Sequence, residues 1–149
     1  MSQEIDAGDT YNGDHCIYEA IAPSLITLKR LTLYLPFKGH SCDPIFSDFE
    51  IQIDMIRKSK NCVEEIFITV SSPFDDGCLS EGGYYILDRV LADEEAWTHL
   101  RHVSVTFKVT LEGCSYWGRE PLSDDFLRRR FRKLTKSKSI RFTLNCLRA

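Results

Sequence analysis

The chain has 149 residues, of which 43% are apolar and 28% are charged, and its formal net charge is −3 at pH 7. This length and composition predict one compact domain with its own core and exclude a disordered or collagenous protein. No apolar run approaches the roughly 20 residues that a membrane-spanning helix needs, and the acidic first ten residues do not resemble a signal peptide. We therefore expect a cytoplasmic or nuclear protein without membrane contact.

The charges are distributed unevenly along the chain. Residues 1–28 carry five acidic side chains and no Lys or Arg, whereas residues 126–149 carry nine of the 19 basic side chains and no Asp or Glu. We divide the chain into an acidic, flexible N-terminal segment, residues 1–24, and a single α/β domain, residues 25–149. The acidic segment is expected to be attracted to the basic end of the chain.

The six cysteines are spread widely, with no close pair of the kind that zinc sites use. This spacing predicts reduced thiols rather than a disulfide framework. Cys42, Cys78 and Cys114 are each 36 residues apart, so they fall on equivalent loops of a repeat. These cysteines either line one rim of the array as a metal or redox site or, as we prefer, are small half-buried residues at equivalent corners. We predict no metal site and no cofactor.

A repeated apolar pattern organises the chain. Residues 28–35, 63–70 and 100–107 each read as one apolar residue, two polar residues and then strict alternation, which is typical of a half-buried strand. A weaker fourth copy covers residues 140–144. The positions that we take as equivalent are spaced by 35, 37 and 37 residues: Leu31, Ile66, Val103 and Ile140.

Segments with helical spacing separate the strands. The first begins at Asp43, a capping residue followed by a proline, the second follows Gly82 and Gly83, and the third begins at Ser123. Consecutive strands separated by helices favour a parallel sheet with every helix on one side. The regular period predicts a small leucine-rich-repeat-like solenoid, with four parallel strands alternating with three helices at a period of about 36 residues.

In such an array, one face of each strand contacts the helices and the opposite face is displayed. Aromatic side chains and arginines contribute most to the binding energy of protein interfaces. The aromatic residues and arginines of the displayed face are therefore the candidate partner-binding residues. These are Tyr34, Phe67, Arg101 and Arg141. The fourth strand is expected to be an edge strand that its basic residues protect from pairing, which leaves the protein monomeric.

The strand pattern at residues 28–35 and 63–72, the Leu-Asp-Arg-Val-Leu sequence with Trp97 ahead of the third strand, and the closing helix and strand together resemble a known family. This is the degenerate leucine-rich-repeat-like region of fungal F-box-type proteins. The resemblance covers residues 25–147 and implies a substrate-recognition surface of a ubiquitin ligase. Residues 1–24 lack the pattern of an F-box, so the chain is either a fragment or truncated relative that keeps the recognition region, or a protein to which the adaptor connection does not apply.

The function that these observations predict is a non-enzymatic protein-interaction module. None of the four histidines lies in a known nucleophile motif. Two alternatives stay open: an enzyme of unrecognised type, and nucleic-acid or weak polyanion binding through the basic C-terminal helix. The basic patch of that helix consists of Arg128, Arg129, Arg130, Arg132 and Lys133.

Overall fold

The computed structural model of the chain describes residues 2–6, 17–36, 43–72, 81–109 and 123–148. The strands are β1 (Ser2–Asp6), β2 (Arg30–Pro36), β3 (Glu65–Ser72), β4 (His102–Val109) and β5 (Arg141–Arg148). The α-helices are α1 (Ile17–Ile21), α2 (Asp43–Lys58), α3 (Glu81–Leu91), α4 (Asp124–Arg130) and α5 (Arg132–Lys136), and a 3-10 turn covers Ala22–Ser24.

The five strands form one sheet in which every neighbouring pair is parallel and the strand order follows the sequence. Each strand is separated from the next by at least one helix, as crossovers between parallel strands require. The predicted α/β class and parallel sheet are confirmed, and β1 adds a strand that the sequence pattern did not indicate. Strand β5 lies at one edge of the sheet, as predicted, and β1 lies at the other.

One face of the sheet is buried against the helices. The strand residues on this face are the alternating apolar positions of the predicted repeat, and they join the apolar residues of the helices in a single core. The central residues of this face are Leu31, Leu33, Leu35, Ile66, Ile68, Val70, Val103, Val105 and Phe107, all of which are buried. The 2-residue period of the sequence therefore identified the core face correctly.

The fourth copy of the repeat aligns differently from the prediction. The hydrogen-bonded register joins Arg30 to Glu65, Glu65 to His102 and His102 to Arg141, which are steps of 35, 37 and 39 residues. The partner of Val103 is consequently Phe142 and not Ile140. Ile140 is instead the buried apolar residue that precedes the strand. A shift of two residues leaves the same side chains facing the core, because the side-chain period of a strand is two.

The boundary that we placed at residue 24 does not follow the fold. Ser2–Asp6 pairs in parallel with β2, on the opposite edge of the sheet from the basic β5. Ile21, at the end of α1, is fully buried in the core. Helix α1 is also bonded to α2, since the Tyr18 amide donates to Gln52 Oε1 over 3.1 Å. The described parts of residues 1–24 thus belong to the same domain as the rest.

The third predicted helix is two short helices. Ser123 caps α4 as predicted, accepting a hydrogen bond from the Phe126 amide at 3.2 Å. The chain then leaves the helical conformation at Phe131, which is fully buried beside Tyr84. Phe131 stands in the capping position of α5, where its side chain offers no acceptor. The break allows Phe131 to fill the core, but it leaves the amides of the second helix without a local cap.

Asp88, a buried residue of α3, supplies the missing cap from another part of the chain. Its carboxylate accepts from the Lys133 amide at 2.8 Å and from the Leu134 amide at 2.9 Å. These are the second and third amides of α5, the two that an ordinary capping side chain would bind. Burial nevertheless raises the pKa of Asp88, so the carboxylate is stabilised mainly by these two bonds.

We expect Asp88→Ala to lower the free energy of unfolding by about 2 kcal/mol, because it leaves two amides at the start of α5 without acceptors. Denaturation in urea measures this loss. The matched control is Asp125→Ala, which removes an exposed carboxylate from the first turn of α4 and is expected to cost less than about 1 kcal/mol. Equal losses in the two variants would contradict the capping role.

A second buried carboxyl group, that of Glu50 on α2, has a different environment. Its Oε1 has no hydrogen-bond partner among the described residues. Burial raises the pKa of Glu50 to about 7, and the charge of Arg89 on α3 only partly opposes this increase. The folded protein therefore keeps the proton on Glu50 at pH values where the unfolded chain has already released it.

The stability of the protein should consequently fall as the pH rises from about 4.5 to 7, and the Glu50 penalty should be complete above pH 7. Glu50→Gln removes this titration. Relative to the wild type, the variant should gain on the order of 2 kcal/mol between pH 4 and pH 8, measured by urea denaturation at each pH. The exposed Glu95→Gln serves as the control and should follow the wild type; a parallel pH profile for Glu50→Gln would contradict the prediction.

Candidate binding surface on the open face of the sheet

The face of the sheet that points away from the helices is here called the open face. The in-register pairing of the strands arranges its residues in rows that run across the sheet. The first row contains Arg30, Glu65, His102 and Arg141; the second contains Thr32, Phe67, Ser104 and Thr143; the third contains Tyr34, Thr69, Thr106 and Asn145. From β2 to β5 the open face is therefore charged at the amino end of the strands and uncharged in the second and third rows. Strand β1 adds Glu4 to the second row and Asp6 to the third.

Opposite charges alternate between neighbouring strands at the amino end. Glu65 receives a hydrogen bond from Arg30 over 3.0 Å, and its second oxygen lies 3.6 Å from Nδ1 of His102. Just before the first row, Glu64 bonds to both Lys29, at 3.2 Å, and Arg101. We call these seven residues the charged ladder: Lys29, Arg30, Glu64, Glu65, Arg101, His102 and Arg141. Cross-strand pairs of opposite charge stabilise the register of the sheet.

The ladder keeps its two carboxylates ionised. The hydrogen bond from Arg101 holds the pKa of Glu64 below its usual value, with a further contribution from Lys29. The hydrogen bond from Arg30 does the same for the pKa of Glu65, and burial opposes it only in part. Both groups are thus negatively charged at neutral pH.

His102 is the most enclosed member of the ladder, with 13% of its side chain exposed. A guanidinium group has only donors, so the 3.2 Å contact from Arg141 makes Nδ1 of His102 an acceptor. The hydrogen of the neutral ring is then on Nε2, which lies 3.0 Å from Oγ1 of Thr143. The imidazole is fixed on both sides by strand β5, and its ring also packs edge-on against Phe67, with the ring centres 5.3 Å apart.

A concavity of about 420 Å³ opens at this end of the face. Its lining residues are Glu65, Arg101, His102 and Arg141. Arg101 is the most solvent-accessible of the ladder's paired cations, with 71% of its side chain exposed, whereas His102 lies deeper. The concavity therefore has cationic, accessible groups and an imidazole below them, which is an arrangement suited to an anion.

On β2 to β5, the second and third rows of the open face are uncharged and partly aromatic. Tyr34 is 38% exposed at the far end of β2, in line with two threonines and Asn145. Phe67 is half-buried in the middle of the face, and the guanidinium carbon of Arg30 lies over its ring at 5.2 Å from the centre. A large apolar ring among hydroxyl groups provides contact area, and the hydroxyl and amide groups provide orientation.

Three of the four predicted partner-binding residues, Tyr34, Phe67 and Arg141, lie on the open face. Arg101 lies one residue before β4, at the amino edge, and its side chain lines the same concavity as Arg141. Sequence reasoning missed Arg30, Glu65 and His102. The alternation of the strands could have found them, because each lies one position before a core residue and therefore on the opposite face.

The basic patch lies on the helical side of the molecule, and it is divided between the two short helices α4 and α5. Arg128, Arg129, Arg132 and Lys133 are exposed, and Arg130 is half-buried with its guanidinium carbon 4.7 Å from the ring centre of Phe126. Lys133 lies over the ring of Tyr85 on α3 at 6.0 Å. Tyr85 is 56% exposed, so the structure brings an accessible aromatic ring beside the basic residues.

The described residues contain no group of three or more Cys, His, Asp or Glu side chains that could hold a metal ion. Cys62 is a free thiol. Cys42, Cys78 and Cys114 lie outside the described residues. The interpretation of these cysteines as small half-buried residues rather than a metal or redox rim therefore stays a prediction. In the part of the chain that is described, no helix has the length and apolar character to cross a bilayer.

Comparisons of the chain with protein-family models, with curated proteins and with solved structures found no match.

Proposed function

We propose that this protein is a non-enzymatic protein-interaction module and that the open face of its sheet is the binding surface. The observation that carries the proposal is the asymmetry of the sheet: one face is buried under the helices, while the other presents Tyr34, Phe67 and a cationic concavity. Exposed aromatic rings and arginines on a rigid surface are the features that interface hot spots share.

The titration behaviour of the acidic residues supports a binding role over a catalytic one. General acids need a carboxyl group whose pKa is raised within a cleft. On the open face, cationic partners lower the pKa of Glu64 and Glu65. The carboxyl groups with a raised pKa, those of Glu50 and Asp88, are buried on the helical side, where they contact other parts of the chain.

The finer architecture that we propose is a stacked, leucine-rich-repeat-like array of strand and helix units. The sequential strand order and the steps of 35, 37 and 39 residues support this proposal. The resemblance to the recognition region of fungal F-box-type proteins then suggests a monomeric cytoplasmic or nuclear protein that selects substrates for a ubiquitin ligase. An F-box encoded in frame before Met1 would support this assignment, and co-purification with a Skp-type adaptor tests it directly.

The binding surface is tested by alanine variants of the two aromatic residues of the open face. The wild type is used to capture partner proteins from a cell extract by chemical cross-linking. Tyr34→Ala and Phe67→Ala should each lower the amount of captured protein at least about tenfold, since aromatic anchors at interfaces contribute about 2 kcal/mol or more. Tyr85→Ala is the matched control, because it removes an exposed tyrosine from the helical side. Unchanged capture by both open-face variants, with their folding intact, would contradict the proposal.

A second candidate function is binding of a nucleic acid or another polyanion by the basic patch. It is favoured by the position of Tyr85, an accessible ring beside Lys133, because aromatic rings and cations together bind single strands. Such binding would be nonspecific and weak at physiological salt.

The salt dependence of binding to a single-stranded oligonucleotide tests this candidate. Each phosphate contact contributes about −0.7 to the slope of log K against log salt concentration. The double variant Arg128→Gln/Arg132→Gln should therefore make the slope shallower by about 1.4. Lys60→Gln/Lys108→Gln changes the net charge equally at exposed positions away from α4 and α5 and should leave the slope unchanged. Equal effects of the two double variants would show attraction to net charge alone.

A further inference from the structure

The charged ladder carries more positive than negative charge. Its four permanent cations are Lys29, Arg30, Arg101 and Arg141, and they face two carboxylates. Glu64 bonds to two of the cations and Glu65 to a third, which leaves an excess of two positive charges before His102 is counted.

Arg141 is the cation of the ladder without a carboxylate of its own. Among the described residues, its guanidinium group donates to Nδ1 of His102 at 3.2 Å and forms no ion pair within 4 Å. It stands on the edge strand β5, with Arg101 on the neighbouring chain segment, where the Arg141 amide donates to the Arg101 carbonyl. Arg141 of the first row and Arg101, one residue before that row, therefore line one concavity. Each guanidinium group has five donors, of which the ladder occupies few.

We propose that this concavity binds the phosphoryl group of a phosphate monoester, carried by a phosphorylated side chain of the protein partner. The proposal deepens the proposed function and rests on it, since the phosphoryl group would be one anchor of a partner bound across the open face. The excess of two positive charges matches the −1.5 to −2 charge that a phosphoserine or phosphothreonine carries near pH 7. Guanidinium groups bind phosphate oxygens in a two-pronged manner, and a pair of them fixes its position.

Among the described residues that line the concavity, Glu65 is the one with a negative charge, which would repel an anion. Its charge is already balanced by Arg30 at 3.0 Å on the side of β2. Its other oxygen lies 3.6 Å from Nδ1 of His102. The arginines, by contrast, stand on the β4 and β5 side of the concavity. An anion that contacts Arg101 and Arg141 therefore approaches the cationic side of the ladder.

His102 gives the site a further response to an anion. In the present arrangement its Nδ1 accepts from Arg141. A phosphoryl oxygen that accepts the Arg141 donor would release Nδ1 from this contact. His102 is accordingly a positioning residue: it holds Arg141 over the concavity until a bound ligand takes the place of His102 as the acceptor.

The experiment uses a dye-labelled peptide with one phosphoserine flanked by glycine and alanine, and the same peptide without phosphate. Fluorescence anisotropy should show at least about tenfold tighter binding of the phosphopeptide to the wild type. Arg141→Gln and Arg101→Gln should each weaken phosphopeptide binding about tenfold, because each removes a charge-assisted contact. Lys108→Gln is the matched control: Lys108 is an exposed cation of the open face on the same strand β4, but six residues beyond His102.

Competition identifies the source of the phosphoryl group. If inorganic phosphate displaces the peptide only at concentrations at least about tenfold above the peptide's dissociation constant, a peptide-borne group is supported. If inorganic phosphate binds as tightly as the phosphopeptide, the assignment to a partner protein is overturned and the site takes free phosphate. Equal binding of the two peptides, or equal losses in Arg141→Gln and Lys108→Gln, would overturn the phosphoryl site itself. Circular dichroism melting confirms that each variant is folded.

The failure of this inference can be separated from failure of the proposed function. A partner that is captured equally before and after phosphatase treatment, is retained by Arg141→Gln and is lost with Tyr34→Ala would overturn the phosphoryl site and leave the interaction module standing. A partner whose capture is lost after phosphatase treatment and with Arg141→Gln, but not with Lys108→Gln, supports both.

Discussion

The parallel, in-register pairing of the strands is the constraint on which the rest of this structure depends. Once Leu31, Ile66 and Val103 are neighbours in the sheet, every second residue of each strand is directed into the same core. The residues between them are aligned with equal precision on the open face. A single register therefore determines both which side chains are buried and which charged groups lie side by side.

The charged ladder shows how this register is specified on the side without a core. Positive and negative side chains alternate from β2 to β4, so a slip of one strand by one residue would break the ion pairs of Glu64 and Glu65 and expose the apolar face as well. Each exposed pair contributes little to stability on its own. Their alternation, however, matches the pairing that the core requires, and the unbalanced cation falls at the last strand, where no further neighbour is described to neutralise it.

The apolar pattern predicted the parallel sheet, the core face and the position of most helices, because a buried face requires apolar residues at regular intervals in the sequence. The same reasoning failed for Ile140, since the apolar residue ahead of β5 lies one position closer to the strand than in the other copies. It also missed β1, which is short and lies at an edge where few apolar residues are needed. Tyr34, Phe67 and the two arginines were selected from the sequence by residue type, and their role in binding stays a prediction. The contacts among Arg30, Glu65 and His102 depend on register, which only the structure supplies.

The polar groups on the two faces of the sheet differ in how much they contribute to stability. On the helical side, the buried carboxyl group of Asp88 accepts hydrogen bonds from the backbone of α5, 45 residues away in sequence, so its loss leaves buried amides without acceptors. On the open face, the ion pairs are accessible to water, and replacing one member leaves a solvated charge and not a buried one. Substitutions in the charged ladder therefore cost little folding free energy. The residues of the open face can therefore vary while the core beneath them, and the backbone register that aligns them, stay the same.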